Sequence, residues 1–341
     1  MRSSLKSEKV LPKTDKDQLL KIIDGFTQPK IVVVGDLMLD RYLWCAVDRI
    51  SPEAPVPIAR VEKETVTLGG AANTIYNLCS LNVKVEVVGL IGDDPPGRQV
   101  LKILADQEVG LQGLIIDPGR PTTVKTRIMS GNHQMIRFDN EVTRDIDDMH
   151  RKKLMISMSN ILDGAKTLVI SDYSKGLISN ILATQIISMA KKRNIKALVD
   201  PTPQSFLKYK HSYLVKPNKK EAEAIVNQKM ADDYSDLHQF GQKIIKKLNT
   251  EIAFITLGKD GIAVIDSHHG VFRIPTAARE VYDVSGAGDT VMAALAASLS
   301  CGASIKQAAV IANVCGGVVV GKLGTATCTR EELITYINQM P

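Results

Sequence analysis

Short apolar runs rich in Val and Ile alternate along the chain with longer segments in which an apolar position recurs every three to four residues. The runs are predicted to be strands, and they lie at 30–36, 83–94, 166–172, 195–200, 213–218 and 251–258. The intervening segments have the period of amphipathic helices, and examples lie at 97–107, 177–193 and 232–250. Continuous apolar runs are typical of parallel strands that are buried on both faces. The alternation therefore predicts an α/β fold with a doubly wound, mostly parallel sheet and helices on both faces.

Two segments, 41–68 and 121–139, break this rhythm. Both alternate without a helical period, and Ser130, Gly131 and Asn132 in the second form a hairpin turn signal between two strand-like halves. We interpret the two segments as insertions that build one small antiparallel β lid standing off the main domain. Two long surface loops are the alternative interpretation.

Length, composition and charge indicate a folded protein and argue against nucleic-acid binding. The chain has 341 residues, 44% of them hydrophobic and 23% charged, which is enough to bury a large core. A polar N-terminal extension with the first helix is expected at 1–28, and the main domain, which carries the lid insertions, at 29–341. The net charge of +6 is too dilute over this length to indicate nucleic-acid binding.

The sequence carries no sign of secretion or membrane insertion. Its N-terminus lacks the apolar core of a signal peptide, and the longest weakly polar stretch, 308–320, falls short of the roughly 20 residues that span a bilayer. The five cysteines form no C-x-x-C pair and indicate free thiols in a reducing compartment. We therefore expect a cytoplasmic protein with no membrane and no nucleic-acid partner.

Polar residues that follow the apolar runs are the candidate site residues, because ligands of such sheets bind beyond the carboxyl ends of the strands. Asp36 and Asp40 follow the first run, where two carboxylates suit vicinal sugar hydroxyls; a turn or a helix cap is the alternative for each. Gly69, Gly70 and Asn73 open a helix, so that a ligand could approach its N–H groups; a simple chain reversal is the alternative.

The strongest local signal is the run DVSGAGDT at 283–290, which a helix of small residues follows. Gly286, Ala287 and Gly288 bare the unpaired N–H groups of the helix start, which together with the helix dipole can bind a transferring phosphoryl group. Asp289 lies in the first turn and could take the proton of an attacking hydroxyl. We expect the helix N-terminus to keep the pKa of this carboxyl low. An ordinary capping carboxylate is the alternative.

Two further strand exits are candidates for binding a nucleotide. Asn218 and Glu221 begin a helix, and an amide and a carboxylate beside a phosphate site suit Mg²⁺ held largely through water. Alone, the pair is a capping-box variant. Thr256, Gly258 and Gly261 belong to a glycine-bounded turn that could let a nucleotide phosphate approach the backbone.

Two other motifs are set aside. The segment 316–323 is one residue from a Walker A loop, but it lacks the Ser or Thr that would hold Mg²⁺ and lies inside a helical pattern. His268 and His269 are interpreted as a hairpin turn between two strands.

Taken in order, GD after the first strand, GGAAN at 69–73, PNKKE at 217–221, TLGKDG at 256–261 and DVSGAGD at 283–289 resemble the ribokinase (PfkB-type) family of sugar kinases. The resemblance covers nearly all of 30–340. It implies ATP-dependent phosphorylation of a sugar hydroxyl, a ribokinase-like sheet flanked by helices, and a β lid that often forms a dimer clasp.

By matching positions, the resemblance implies that Asp289 is the catalytic base and that 286–288 form the anion hole. It implies ATP contacts from Asn218, Lys219, Lys220, Glu221, Thr256, Gly258, Gly261 and Asn313. Mg²⁺ would be held through water by Asn218 and Glu221, and a monovalent cation is a further cofactor that the resemblance suggests.

The lid narrows the resemblance. Its segments at 40–64 and 68–78, and later MIRFDNE and ISDYSKG, resemble the family's kinases for D-glycero-β-D-manno-heptose 7-phosphate, which make the 1,7-bisphosphate on the route to ADP-heptose and the lipopolysaccharide core. The chain has no H-x-G-H nucleotidyl-transfer motif, so it resembles a stand-alone kinase. Two departures are Cys45, where a Gly is expected, and the first seventeen residues, which match nothing in the family.

A sugar phosphate needs cations, and the lid region supplies Arg41, Arg49, Arg60, Lys125, Arg127, Arg137 and Lys175. A solvated surface role is the alternative for each of them, with Arg137 and Lys175 the preferred phosphate contacts. The expected substrate-binding residues are Asp36, Asp40, Gly69, Gly70, Asn73, Arg137 and Lys175. We also expect a homodimer through the lid. A kinase of another sugar, and a non-catalytic nucleotide-binding protein on the same fold, remain the alternatives.

Overall fold

A computed structural model describes residues 15–202, 205–267, 270–278, 280–322 and 324–340. The strands of its large sheet are β1 (Lys30–Gly35), β4 (Lys84–Ile91), β5 (Gly110–Ile116), β8 (Ala165–Ser171), β9 (Lys196–Asp200), β10 (Leu214–Val215), β11 (Ile252–Thr256), β12 (Ile262–Asp266) and β13 (Gly270–Ile274). A second sheet contains β2 (Leu37–Ile50), β3 (Pro57–Gly70), β6 (Thr123–Ser130) and β7 (His133–Asn140).

The helices are α1 (Lys16–Asp24), α2 (Ala71–Ser80), α3 (Pro95–Asp106), α4 (Asp148–Ile161), α5 (Asn180–Lys192), α6 (Lys219–Val226), α7 (Leu237–Leu248), α8 (Ala287–Ser300), α9 (Ile305–Val320) and α10 (Arg330–Gln339). Several begin at the polar caps that the sequence offers; Ser304 and Thr329, for example, accept an N–H from the third residue of α9 and α10. In the described part of the chain, no helix is both long and apolar enough to cross a membrane.

The large sheet is mostly parallel, as the sequence predicts. Its order is β13, β12, β11, β10, β9, β8, β1, β4, β5, and only β12 and β13 at one edge pair in antiparallel fashion. Side chains of β1 alternate between two cores: Ile31 and Val33 pack with α2, α8 and α9, whereas Val32 and Val34 pack with α4, α5 and α7. Burial on both faces explains why the strands appear as continuous apolar runs.

The predicted lid is present as a small sheet in the order β3, β2, β6, β7. It consists of two antiparallel hairpins, and the predicted turn connects β6 to β7 with Gly131 at φ 55°. The pairing between the hairpins, β2 with β6, is parallel. This follows from the main sheet, because β2 and β6 continue from β1 and β5, which run in the same direction.

Some elements differ from the sequence prediction. The strand predicted at 213–218 is only two residues long, because Pro217 has no N–H to donate to a ladder. The edge strand β5 and helix α4 carry no clear period and were not predicted. Residues 316–320 are helical within α9, which confirms that the segment is not a P-loop. His268 and His269 lie outside the described residues.

Candidate active site

Asp289 lies in the first turn of α8 with its side chain buried. The chain reaches α8 through Gly286, whose φ of 77° is in the left-handed region that favours glycine. Three side chains donate hydrogen bonds to the carboxylate: Asn73 Nδ2 to Oδ2 at 2.7 Å, Thr74 Oγ1 to Oδ1 at 3.1 Å, and Tyr173 OH to Oδ1 at 2.7 Å. The predicted base is therefore held in one orientation by α2 and by the loop after β8.

The pKa of Asp289 does not follow the expectation of a low value. Burial, with the charge of Asp200 as a second cause, raises this pKa from 3.8 to about 6, although Asn73, Tyr173 and Lys216 act to lower it. The expectation was wrong because it considered the helix start alone and not the loss of water around the carboxyl group. A carboxyl with a pKa near 6 is better matched to proton transfer at neutral pH than an ordinary aspartate.

The helix start that carries this carboxylate also presents open N–H groups. Among the described residues, the N–H groups of Gly286, Gly288 and Asp289 have no hydrogen-bond acceptor, whereas Ala287 donates to the carbonyl of Val284. Unpaired N–H groups at a helix start bind anions. The predicted anion hole thus lies directly beside the base.

A buried ion pair that the sequence did not predict lies next to the anion hole. Lys216 Nζ lies 3.0 Å from Asp200 Oδ1, and a Cβ on Gly288 would lie 3.5 Å from the same ammonium. Burial raises the pKa of Asp200, and the charge of Lys216 acts to lower it. Asp200 is the last residue of β9 and Lys216 directly follows β10, and these positions at the ends of two apolar strands were the available signal. The pair places a cation beside the open N–H groups.

The start of α2 lies against the base. Asn73 contacts Asp289 directly, and Gly70 precedes the helix with φ 59°. A Cβ on Gly69 would lie 2.6 Å from Asp40 Oδ2, so the glycine allows β3 to pass close to that carboxylate. The predicted residues Gly69, Gly70, Asn73 and Asp40 therefore come together on one side of Asp289.

Asp36 is placed differently from Asp40. The buried carboxylate of Asp36 accepts the backbone N–H groups of Tyr173, Lys175 and Leu177, at 2.9, 3.1 and 3.2 Å. These contacts fit the turn-forming interpretation of Asp36, since they hold the loop after β8 in place. Burial raises its pKa to about 6, with Asp172 as the second cause.

The lid cations preferred for phosphate binding each pair with a carboxylate. Arg137 Nε lies 3.1 Å from Asp139 Oδ1, and its side chain is 48% exposed. Lys175 Nζ lies 2.8 Å from Glu141 Oε1. Arg127, which was not preferred, pairs with Asp40 at 2.6 Å. Neither preferred residue therefore offers an unpaired charge.

The residues predicted to contact a nucleotide lie at the exits of β10 and β11 and in α9. Asn218 and Glu221 form the capping box of α6, each accepting the other's backbone N–H. Thr256 forms a bridge with Asn218 and so joins the two exits, and the turn after it contains Gly258 and Gly261, both with positive φ. Three predicted nucleotide contacts remain. Lys219 pairs with Asp232, Lys220 lies on the exposed face of α6, and Asn313 Nδ2 donates to the carbonyl of Pro275.

Asn218 and Glu221 are the residues predicted to hold Mg²⁺ through water. Among the described residues, no group of three or more His, Cys, Asp or Glu side chains could hold a metal ion. The capping box occupies Oε2 of Glu221 and leaves Oε1 without a partner in the described part of the chain, while burial raises the pKa of this carboxyl. One such oxygen fits a Mg²⁺ ion that is held mainly by phosphates and water, but not a direct protein cage.

Comparison with known proteins gives the family. A model described as "pfkB family carbohydrate kinase" matches residues 28–332. Bifunctional protein HldE of Sulfurimonas denitrificans is 42% identical over 93% of this chain and 66% of its own length. The HldE of Helicobacter hepaticus is 42% identical over 92% of this chain and 64% of its own. The chain thus spans slightly less than two thirds of the length of these relatives.

Solved structures show the same fold. Arabidopsis thaliana ribokinase complexed with ribose and ATP has a TM-score of 0.73 at 19% identity, covering 92% of this chain and 99% of that one. Escherichia coli phosphofructokinase-2 in complex with potassium has a TM-score of 0.76 at 21% identity, covering 91% and 99%. With the family model matching most of its length, the chain belongs to the pfkB family of carbohydrate kinases.

Proposed function

We propose that this kinase transfers the γ-phosphoryl group of ATP to the C1 hydroxyl of D-glycero-β-D-manno-heptose 7-phosphate, giving the 1,7-bisphosphate used for ADP-heptose and lipopolysaccharide core synthesis. The observation that carries the reaction is the buried Asp289 beside the open N–H groups of α8. The choice of substrate is supported by the lid, whose segments resemble those of heptose 7-phosphate kinases and lie within the regions matched at 42% identity.

In the proposed reaction, the C1 oxygen attacks the γ-phosphorus while its proton passes to the carboxylate of Asp289. The bond from the γ-phosphorus to the bridging oxygen breaks, and its electron pair leaves with ADP. Asn73, Thr74 and Tyr173 occupy part of the accepting capacity of the carboxylate and leave room for the sugar hydroxyl. A pKa near 6 keeps the carboxylate ionised at neutral pH and close enough in basicity to accept the proton.

Charge on the transferring group would be met from the start of α8. The N–H groups of Gly286, Gly288 and Asp289 can donate to its oxygens, and Lys216 lies beside Gly288 as a buried cation. Such prearranged donors in a site closed to water commonly supply the largest part of catalysis. Lid closure would exclude the water that competes with the sugar hydroxyl.

ATP is proposed to lie along the side of the sheet formed by α6, the turn after β11 and α9. Its contacts would be Asn218, Lys219, Lys220, Glu221, Thr256, Gly258, Gly261 and Asn313. Mg²⁺, when bound, would neutralise phosphate charge, with Glu221 and Asn218 meeting its water ligands. A monovalent cation is part of the proposal because the family resemblance suggests it.

We also infer that the lid joins two copies of the chain. Met135, Ile136 and Phe138 on β7 are 47%, 56% and 52% exposed, and Val61 on β3 is 53% exposed. Several large apolar side chains on one small sheet are typical of an interaction surface. If a second copy covers them, Ile136→Glu yields a monomer by light scattering; an unchanged mass would contradict this arrangement.

The proposed activity is tested by ADP release with MgATP and a panel of sugars: D-glycero-β-D-manno-heptose 7-phosphate, fructose 6-phosphate, ribose and fructose, each with and without K⁺. We expect strong turnover with the heptose phosphate alone, and a new anomeric phosphate signal in the phosphorus NMR spectrum. Asp289→Asn purified in parallel controls for contaminating kinases. Turnover with another sugar alone would reject the heptose substrate, and no turnover with tight ATP binding would favour a binding protein.

A further inference from the structure

Lys125 on β6 is a half-buried cation of the lid that has no acidic side chain paired with it among the described residues. In the described part of the chain, its ammonium forms no ion pair and no hydrogen bond, although acidic side chains are close by. Those carboxylates are already paired with other cations: Asp40 with Arg127, Asp139 with Arg137, and Glu141 with Lys175. The positive charge in excess within this group therefore belongs to Lys125.

The position of Lys125 relates it to the catalytic base. Its residue lies opposite Asp40 on β2 and opposite Asp139 on β7, in the middle of the small sheet. Lys125 Nζ lies 5.5 Å from the centre of the Tyr173 ring, and the hydroxyl of that tyrosine is 2.7 Å from Asp289 Oδ1. A single tyrosine ring thus separates the ammonium from the carboxylate that would receive the sugar's proton.

The electrostatic setting of Lys125 is unfavourable without an anion. Burial is the largest cause acting on its pKa and lowers it; the charge of Asp40 comes next and raises it, as does that of Asp139, whereas the charges of Lys175 and Arg137 lower it further. Removing a cation from water without a counter-charge costs free energy that its one aromatic contact offsets only in part. An anionic group bound beside Lys125 would supply the missing counter-charge.

The identity of this anion follows from the two sides of the site. The anion hole of α8 and Lys216 lie where the transferring phosphoryl group of ATP is proposed to bind. Lys125 instead lies on the lid, across Tyr173 from the base. A neutral sugar bound there would leave the ammonium unpaired, whereas a sugar phosphate would bring its own anion.

We propose that Lys125 binds the phosphate group that the sugar substrate already carries and thereby makes the enzyme select sugar phosphates over neutral sugars. The inference rests on the proposed function, and it assigns the phosphate contact to a residue other than Arg137 and Lys175. Those two residues act beside it by neutralising Asp139 and Glu141, whose charges would otherwise repel the phosphate.

The test compares a phosphorylated and an unphosphorylated substrate in one enzyme. For wild type and Lys125→Met, kcat/KM is measured with D-glycero-β-D-manno-heptose 7-phosphate and with the free heptose. We divide the kcat/KM for the heptose phosphate by that for the free heptose. If Lys125→Met loses a charged hydrogen bond to the phosphate, this ratio should fall by about 10- to 150-fold in the variant. Lys63→Met, at an exposed position of β3, is the matched control and should leave the ratio within twofold of wild type.

Equilibrium binding separates failure of this inference from failure of the proposed function. Calorimetric titration with heptose 7-phosphate in the absence of ATP should show the same loss of affinity in Lys125→Met, while the thermal midpoint reports whether the variant is folded. If wild type turns over no sugar, the proposed function fails, and the titration alone decides the role of Lys125. A ratio or an affinity that stays within threefold of wild type in Lys125→Met would overturn the inference.

Discussion

Replacing Asp289 by Asn should change how stability depends on pH, by an amount that follows from the surroundings of the carboxyl group. Burial and the charge of Asp200 raise its pKa from 3.8 to about 6 in the folded protein. A pKa that is higher in the folded state means that folding favours the protonated form. This stabilisation is present at low pH and is lost as pH rises through about 6.

The magnitude of this effect can be worked out from the two pKa values. A rise from 3.8 to about 6 corresponds to about 3 kcal/mol lost between acid and neutral pH. About half of that loss falls between pH 5 and pH 8, because the unfolded carboxyl is already ionised at pH 5. Asn carries no such charge, so the free energy of unfolding of Asp289→Asn should rise by about 1–2 kcal/mol relative to that of wild type over this range.

The assay is urea unfolding of both proteins at several pH values, followed by far-ultraviolet circular dichroism. A fixed offset between the proteins is expected because the amide nitrogen that Asp289→Asn introduces cannot accept the hydrogen bond from Asn73. Asp36, whose pKa is also near 6, is present in both proteins and cancels from the difference. A difference in unfolding free energy that stays constant from pH 5 to pH 8 would refute the placement of Asp289 as a buried, destabilised carboxylate.

Three further predictions concern activity. In wild type, kcat/KM should rise with pH through about 6, the pKa of Asp289 in the enzyme without substrate, and level off above it. A pH-independent profile would contradict the assignment of Asp289 as the base. Lys216→Met should move that limb to higher pH, since the charge of Lys216 lowers the pKa of Asp289, and an unshifted limb would contradict this electrostatic effect. Gly286→Ala should cut kcat by about 10- to 100-fold, because a Cβ there would lie 2.7 Å from Asn73 Nδ2. It would displace the hydrogen bond from Asn73 to Asp289, and a hydrogen bond to a charged group is worth about 1.5–3 kcal/mol. Gly302→Ala is its matched control, having φ 79° but no atom within 4 Å of a new Cβ; equal losses in the two variants would show backbone strain alone.

The large sheet could be predicted because its signal is local. Strands buried on both faces must be apolar throughout, so β1, β4, β8 and β11 are visible as runs of Val, Ile and Phe. The start of α8 was also visible, because only small residues leave N–H groups open beside a carboxylate. Edge strand β5, with two glycines and one half-exposed face, gave no such signal.

The contacts of the site could not be predicted in the same way. Tyr173 contacts Asp289 although the two residues are more than a hundred positions apart in the chain. Lys216 pairs with Asp200 only because their strands are neighbours in the sheet. The pKa of Asp289 depends on these distant groups and on burial, which a local motif does not encode. The preference for Arg137 and Lys175 considered charge but not the carboxylates that pair with them.

If Asp289 is the base of phosphoryl transfer to a sugar, its replacement must slow turnover without weakening nucleotide binding, so the turnover of Asp289→Asn is measured beside its affinity for ATP. With the sugar that wild type uses best, we expect kcat to fall by about 10²- to 10⁴-fold, the usual contribution of a positioned base. The affinity for MgATP should stay within threefold, because the proposed contacts from α8 to the γ-phosphoryl group are backbone N–H groups, which Asp289→Asn retains, and the other nucleotide contacts lie on other elements. A kcat within tenfold of wild type, with ATP affinity intact, would show that Asp289 is not the base.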